Sequence, residues 1–206
     1  MLETFVVRMI IGILIVLIIF SYYLANKSGD DSGSWEYEPV LKVEIPRSLV
    51  VLESVVGFIL IGVSLLVILF PDFIYGSFVT VAFPGDTFVQ IAGIVIIIPG
   101  LYLYVSSERH LGRFAISDIS VAKDHELIST GPYAKIRHPS YTAVILLSLS
   151  ITLLLLNLIL VIISPIIIVI ETYHAKLEEE LLASEDAFGE KYKTYMQRTG
   201  RFLPKF

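Results

Sequence analysis

The sequence predicts an all-α, polytopic membrane protein with about five transmembrane helices, the last two forming a helical hairpin, followed by a cytosolic C-terminal helical segment. Three observations carry this expectation. Hydrophobic residues make up 55% of the 206 and charged residues only 17%, well outside the balance of an ordinary soluble domain. The apolar residues fall in runs long enough to cross a hydrocarbon core about 30 Å thick. The basic residues, finally, fall almost entirely in alternate connections between those runs.

Taken in order, the first run covers 5–25. It is too long for the apolar core of a cleaved leader, and no small-x-small site follows it, so it reads as a retained helix. Residues 26–47 are polar, rich in Gly and Ser and punctuated by Pro39 and Pro46, which reads as a loop. A second span covers 48–70 and carries Glu53. The stretch 71–86, bounded by Pro and Gly, connects it to a third span over 87–105, where Pro99-Gly100 predicts a kink. After a long polar segment, 106–140, comes the longest apolar run, Tyr141 to Tyr173, 33 residues with no charge before Glu171. As one straight helix it would be about 50 Å long, more than a bilayer core accommodates. Asn157 sits near its centre, so a tight hairpin turning there fits better. In the tail, 174–206, charges alternate with Leu181, Leu182, Phe188, Tyr192 and Tyr195 at close to helical spacing, which predicts an amphipathic helix folding back on the 106–140 loop.

Charge fixes the expected orientation. With five spans, 26–47, 106–140 and the tail share one side, and they hold 3, 5 and 6 of the 15 Lys and Arg. The opposite side has only Arg8. The positive-inside rule therefore predicts an integral, multi-pass protein whose long loop and C-terminal segment face the cytosol. Three N-terminal spans with their loops (1–105) would precede a catalytic region (106–206) made of the loop, the hairpin and the tail.

Composition also narrows the function. Cysteine is absent, which removes thiol nucleophiles, disulfides and Cys-based metal sites. A net charge of −5 with no basic stripe argues against nucleic acid as a partner. The four His, at 110, 125, 138 and 174, lack metal-ligand spacing, so no metal is expected. What remains is a polar constellation on the expected cytosolic side: His125, Glu126, Tyr133, Arg137, His138, Tyr141 and the acid run Glu178-Glu179-Glu180. Glu53 and Glu171 lie at membrane depth, where an ionisable group costs on the order of 3 kcal/mol and should face protein or a water-filled cavity.

The stretch HELISTGPYAKIRHPSY, a hydrophobic hairpin with Asn157, and EEELL followed by FGEKYKTYMQRTGRFLP together resemble the isoprenylcysteine carboxyl methyltransferase family of integral membrane enzymes. That family's pattern is H-x-L-[VI]-T-x-G-x-Y-x-x-x-R-H-P-x-Y, a hairpin, then E-E and F-G-x-x-Y-x-x-Y. The resemblance covers residues 120–206. RHPxY alone also occurs, in related forms, in phospholipid N-methyltransferases and membrane-bound NADPH-dependent sterol reductases; the E-E pair followed by FGEKYKTY favours the carboxyl methyltransferases. A non-enzymatic transporter or scaffold would leave that tail unexplained.

The resemblance implies transfer of a methyl group from S-adenosyl-L-methionine, leaving S-adenosyl-L-homocysteine, to the carboxylate of a prenylated or otherwise lipidic substrate reached from the bilayer. It implies that His125, Glu126, Leu127, Ile128 and Tyr133 line the cofactor pocket, that His138, Pro139, Ser140 and Tyr141 form its second contacting block, and that Arg137, His138 and Tyr141 take catalytic roles. Gap-free counting puts Glu179 on the cofactor-binding acid, with Glu180 one residue away as the alternative. The family often has an Arg before the acids that meets the substrate carboxylate. Here Ala175 falls on that position, flanked by His174 and Lys176, which become the substrate candidates together with Asn157 of the hairpin.

Overall fold

The computed structural model describes the backbone of residues 2–30, 39–115 and 118–205. Part of the expected 26–47 loop, at 31–38, lies outside the described residues. In chain order the elements are α1 (Thr4–Asp30), β1 (Pro39–Lys42), α2 (Arg47–Leu69), α3 (Pro71–Tyr75), α4 (Asp86–Leu111), β2 (Ser120–Ala122), α5 (Pro139–Leu155), α6 (Leu158–Leu182) and α7 (Gly189–Arg198). The protein is mostly helical, and among the described residues three helical stretches are long and apolar enough to cross a membrane: Arg47–Leu69, Asp86–Phe114 and Leu158–Leu182. A further apolar helix, Pro139–Leu155, is shorter, and α1 is apolar over Thr4–Leu17 of its longer course. At 1.5 Å per residue, 17 residues rise only about 26 Å, just under a typical hydrocarbon core.

Two departures from the expectation have simple causes. α4 runs through Pro99 without a break and ends at Leu111, six residues past the expected boundary at Val105. The Ser-Ser-Glu-Arg-His segment is polar but contains no breaker, and the 3-10 turn begins only at Gly112. The fold also contains a small sheet. β1 and β2 pair antiparallel, with Leu41 opposite Val121 and Lys42 opposite Ser120, extended by the Val43 N–H donating to the Ile119 carbonyl at 2.9 Å. Strands of four and three residues are too short to show a period of two.

The chain divides into two units assembled from alternating segments. The first holds 1–20, 46–101 and 144–170. Its core joins Val7, Ile11 and Leu14 of α1 to Val63 and Val67 of α2 and to Leu147, Leu154 and Leu155 of α5. Large apolar side chains elsewhere on these helices point outward, among them Phe58, Phe88, Ile98, Ile162 and Val169, each more than 65% exposed. Such surface is unfavourable in water and suited to lipid.

The hairpin turn at the end of this unit is built as the sequence predicts. Leu156 adopts a left-handed conformation, φ 50°, and Asn157, wholly buried, caps α6 by accepting the Ile159 N–H on Oδ1 at 3.0 Å. Residues 79–81 clasp the turn: the Val81 N–H donates to Leu156 O and the Leu158 N–H to Val79 O, both at 2.8 Å. Between the two arms, the Thr152 and Ser164 hydroxyls bond at 2.6 Å. Gln90 of α4, fully buried, donates to the Leu154 carbonyl at 2.8 Å and accepts the Leu2 N–H at 2.6 Å.

α4 lies close against α5 because Gly93 has no side chain. A Cβ there would sit 2.9 Å from the Ser150 carbonyl oxygen and 3.1 Å from the Leu154 nitrogen, and backbone cannot yield. At Gly100 the nearest atom, 2.9 Å away, is the Cδ2 end of Leu147, which can rotate. Small residues at helix contacts are how membrane helices approach closely. Gly93→Ala is therefore expected to cost about 1–3 kcal/mol through overpacking, and Gly100→Ala clearly less, as measured by thermal unfolding in detergent.

The second unit holds 21–45, 102–143 and 171–206. It contains the two-stranded sheet, the 3-10 turn Gly131–Ala134 and α7, whose Tyr192 and Tyr195 are buried. All the site residues expected from the sequence lie here except Asn157.

Candidate active site

The site grows from the stretch 131–142. Gly131 opens it at φ 57°, a left-handed conformation that favours glycine, with the His110 ring packed where a Cβ would lie. Tyr133 is buried, its hydroxyl 3.3 Å from Ser140 Oγ, and its carbonyl accepts the Tyr195 hydroxyl at 2.6 Å. Burial pushes the Tyr133 hydroxyl's pKa well up, so it stays protonated. Pro139, fully buried, starts α5, where its missing N–H costs nothing.

The backbone of this stretch is held by residues 199–202. Ile136 and Gly200 form a parallel bridge. The Gly200 N–H donates to Lys135 O at 3.1 Å, the Arg137 N–H to Gly200 O at 2.8 Å and the His138 N–H to Arg201 O at 3.1 Å. Thr142 Oγ1 adds a bond to Phe202 O at 3.1 Å.

The side chains converge on Glu179 and Glu178 of α6. Glu179 is buried and its carboxylate is fully engaged. Oε1 accepts from Arg137 Nε at 2.8 Å and faces His138 Nε2 at 3.2 Å. Arg201 spans both oxygens, with Nε 3.1 Å from each and Nη2 bonded to Oε2. Arg137 also donates through Nη1 to the Met196 carbonyl at 3.1 Å and to that of Thr199.

His138 thus stands between two acids, with Nδ1 3.4 Å from Glu178 Oε2. Burial lowers its pKa, but the hydrogen bonds to Glu178 and Glu179 outweigh that and hold it above the ordinary histidine value. Its ring stacks on Tyr141, centroids 5.3 Å apart and planes within 5°, and the Tyr141 hydroxyl interacts with the Glu178 carboxylate. Glu178 differs from its neighbour in being a third exposed, with 32% of its side chain accessible against 5% for Glu179. Its charge also acts on His125, Tyr133 and Tyr192. His125 lies flat on Phe114, 4.3 Å between centroids, with Phe188 edge-on at 5.8 Å. Burial lowers its pKa, Glu178 partly opposing, and its Nδ1 is buried with no hydrogen-bond partner.

Of the residues expected from sequence, the structure brings Tyr133, Arg137, His138, Ser140, Tyr141 and Glu179 together, with His174 alongside, its ring 6.3 Å from that of Tyr141. Leu127 and Ile128 are half-buried and Glu126 is exposed. Glu180 and Lys176 form a surface ion pair at 3.7 Å, each more than 60% exposed. Asn157 belongs to the hairpin turn of the first unit. Ala175 is fully buried, so an arginine has no room at that position. Sequence reasoning did not single out Glu178 within the acid run, nor Arg201. The available signal was physical: a carboxylate buried beside another needs cations, and Arg137 alone is too few.

A multi-pass helical membrane protein carrying a polar, titratable site is the class that fold and site define. Residues 92–184, a little under half of the chain, match the model of the isoprenylcysteine carboxyl methyltransferase (ICMT) family. The match runs from within α4 to just past α6; α7 and residues 199–202 lie beyond it. Among solved structures, the fold is similar to the eukaryotic intramembrane Ras methyltransferase ICMT determined without a monobody, with a TM-score of 0.53 and 19% identity, covering 79% of this chain and 54% of that one. The chain therefore spans about half the length of that relative. No curated protein sequence matches it.

Proposed function

We infer that this protein is an S-adenosylmethionine-dependent methyltransferase that esterifies the carboxylate of an isoprenylcysteine or similar lipidic acid at the cytosolic membrane face. The observation that carries the reading is Glu178, its side chain a third accessible and surrounded by His138, Tyr141, Tyr133 and His125, in a chain whose residues 92–184 match this family. These residues fit the cofactor. A carboxylate can accept its ammonium or ribose hydroxyls, the unpartnered His125 Nδ1 offers a further polar contact, and Phe114, Tyr133 and Phe188 supply apolar and aromatic walls. When bound, S-adenosylmethionine would supply an electrophilic methyl group on a sulfonium.

The chain's own residues bind and orient. An acceptor carboxylate is already ionised at neutral pH, its reference pKa being near 4, so no general base is required. His138, held by both acids, serves position and charge; alignment and water exclusion supply the rate. With Ala175 buried, His174 beside Tyr141 is the residue best placed to meet the acceptor's carboxylate. Five spans, counting α1 and α5 with the three long apolar helices, keep the basic loops on one cytosolic side.

Transfer of radiolabelled methyl from S-adenosylmethionine to a panel of prenylcysteines and lipids tests the reading, with calorimetry against NADPH as the control for a reductase. Tyr141→Phe keeps the stacked ring but removes the hydroxyl that interacts with Glu178. It is expected to reduce transfer and to shrink the thermal shift produced by S-adenosylhomocysteine, which follows RT ln(1 + [L]/Kd), while ligand-free stability changes little. An unchanged ligand-induced shift would return Tyr141 to the role of an interfacial anchor.

A further inference from the structure

The segment 199–202 lies outside the stretch that matches the family, yet it supplies a second cation to the buried acid. Arg201 reaches both oxygens of Glu179, while its own carbonyl fixes the His138 N–H. Arg137 takes Glu179 Oε1 from the other side at 2.8 Å. One carboxylate thus meets two guanidiniums, and the adjacent carboxylate meets none among the hydrogen bonds and ion pairs of the described residues; it faces His138 and Tyr141 on a side chain that is 32% accessible.

We propose that Arg201 is a positioning residue: by sharing the Glu179 carboxylate with Arg137 it limits that acid's pull on His138, which Glu179 faces at 3.2 Å, and so leaves His138 and Glu178 oriented for the cationic ligand. Two adjacent acids on one helix become unlike because only one is saturated by arginine. The planar fork matters, since a lysine places a point charge and cannot span both oxygens in the same way. Around His138 the charged and titratable groups are Glu178 and Glu179 on α6, Arg137 beside it, Tyr141 on α5, Arg201 on the strap formed by residues 199–202, and Tyr192 of α7 acting on both acids. Removing Arg201 alone leaves Glu179 under-compensated, so its pull on the His138 proton strengthens.

The inference rests on the methyltransferase reading only in naming the ligand, and the test separates the two. Full-length Arg201→Gln, Arg201→Lys and Lys205→Gln, the last an exposed cation bonded to the Gln197 carbonyl, are compared with wild type. The measurements are S-adenosylhomocysteine calorimetry and NMR titration of His138 in protein labelled at histidine. Arg201→Gln is expected to weaken S-adenosylhomocysteine about 10-fold or more and to raise the His138 titration midpoint by about 1 unit. Arg201→Lys should fall between Arg201→Gln and wild type, and Lys205→Gln should match wild type. In a Glu179→Gln background the further effect of Arg201→Gln on affinity should drop below about 3-fold, the non-additivity of residues acting through one another. An unmoved His138 midpoint in both Arg201 variants, or full additivity with Glu179→Gln, overturns the proposal. A moved midpoint in a protein whose wild type binds no S-adenosylhomocysteine sinks the methyltransferase reading and leaves the positioning role standing. If Arg201→Gln does not fold, Arg201→Lys carries both measurements.

Discussion

Arg137→Ala is expected to lower the melting temperature of the detergent-solubilised protein by on the order of 10 °C and to abolish measurable S-adenosylhomocysteine binding. The side chain is nearly buried, 10% exposed, and joins three groups: Glu179 at 2.8 Å, the Met196 carbonyl at 3.1 Å and the Thr199 carbonyl. Truncation leaves part of a buried carboxylate and two carbonyls without a donor. Breaking a buried ion pair costs about 3–5 kcal/mol, and for a chain near 200 residues each kcal/mol moves the midpoint by about 2–4 °C. Arg137→Lys should recover little, because one ammonium cannot reach a carboxylate and two carbonyls in the fork geometry. A melting curve within about 2 °C of wild type would show that the strap holds without Arg137 and that the residue acts elsewhere.

The three consecutive acids are expected to separate cleanly. Glu178→Gln should weaken S-adenosylhomocysteine by about 10- to 100-fold, the worth of one charged hydrogen-bonding partner at about 1.5–3 kcal/mol, with ligand-free stability close to wild type. Glu179→Gln should act first on the fold, since Arg137 and Arg201 both depend on that carboxylate. Glu180→Gln should be silent, its charge facing Lys176 on the surface. Calorimetry and thermal unfolding of the three variants read this directly. If affinity is lost in Glu179→Gln at unchanged stability while Glu178→Gln binds normally, the ligand-binding acid is Glu179 and the two carboxylates exchange roles.

How much of this was legible beforehand depends on the range of the interactions. The hairpin was, because a 33-residue apolar run cannot be one span and Asn157 is the polar residue at its centre; the structure turns there and uses that side chain as the cap. The convergence of RHPSY on the acid run was legible as spaced motifs. The choice between neighbouring acids was not. Consecutive residues on a helix differ by about 100° in direction, so an uncertainty of one residue in counting exchanges a buried position for an exposed one. Glu179 and Glu180 illustrate this, the first 5% and the second 62% exposed. The β1–β2 pair escaped because its strands are shorter than a detectable period. Arg201 escaped because its partner lies 22 residues away and its meaning arises only once the 199–202 segment runs beside residues 135–138.

The same pairing orders events during biosynthesis. Arg137 lies 62 residues before the Thr199 carbonyl it bonds, and at about 5–20 residues per second the ribosome takes roughly 3–12 s to make that interval. In that time α5 and α6 are completed, so the hairpin exists before the strap that orders the loop preceding it. Glu178 and Glu179 leave the ribosome before Arg201 as well. The nascent protein therefore passes through a stage in which both carboxylates and the loop are present but the second guanidinium and the strap's backbone bonds are not, and the site takes its final form only when the chain has been made past residue 202.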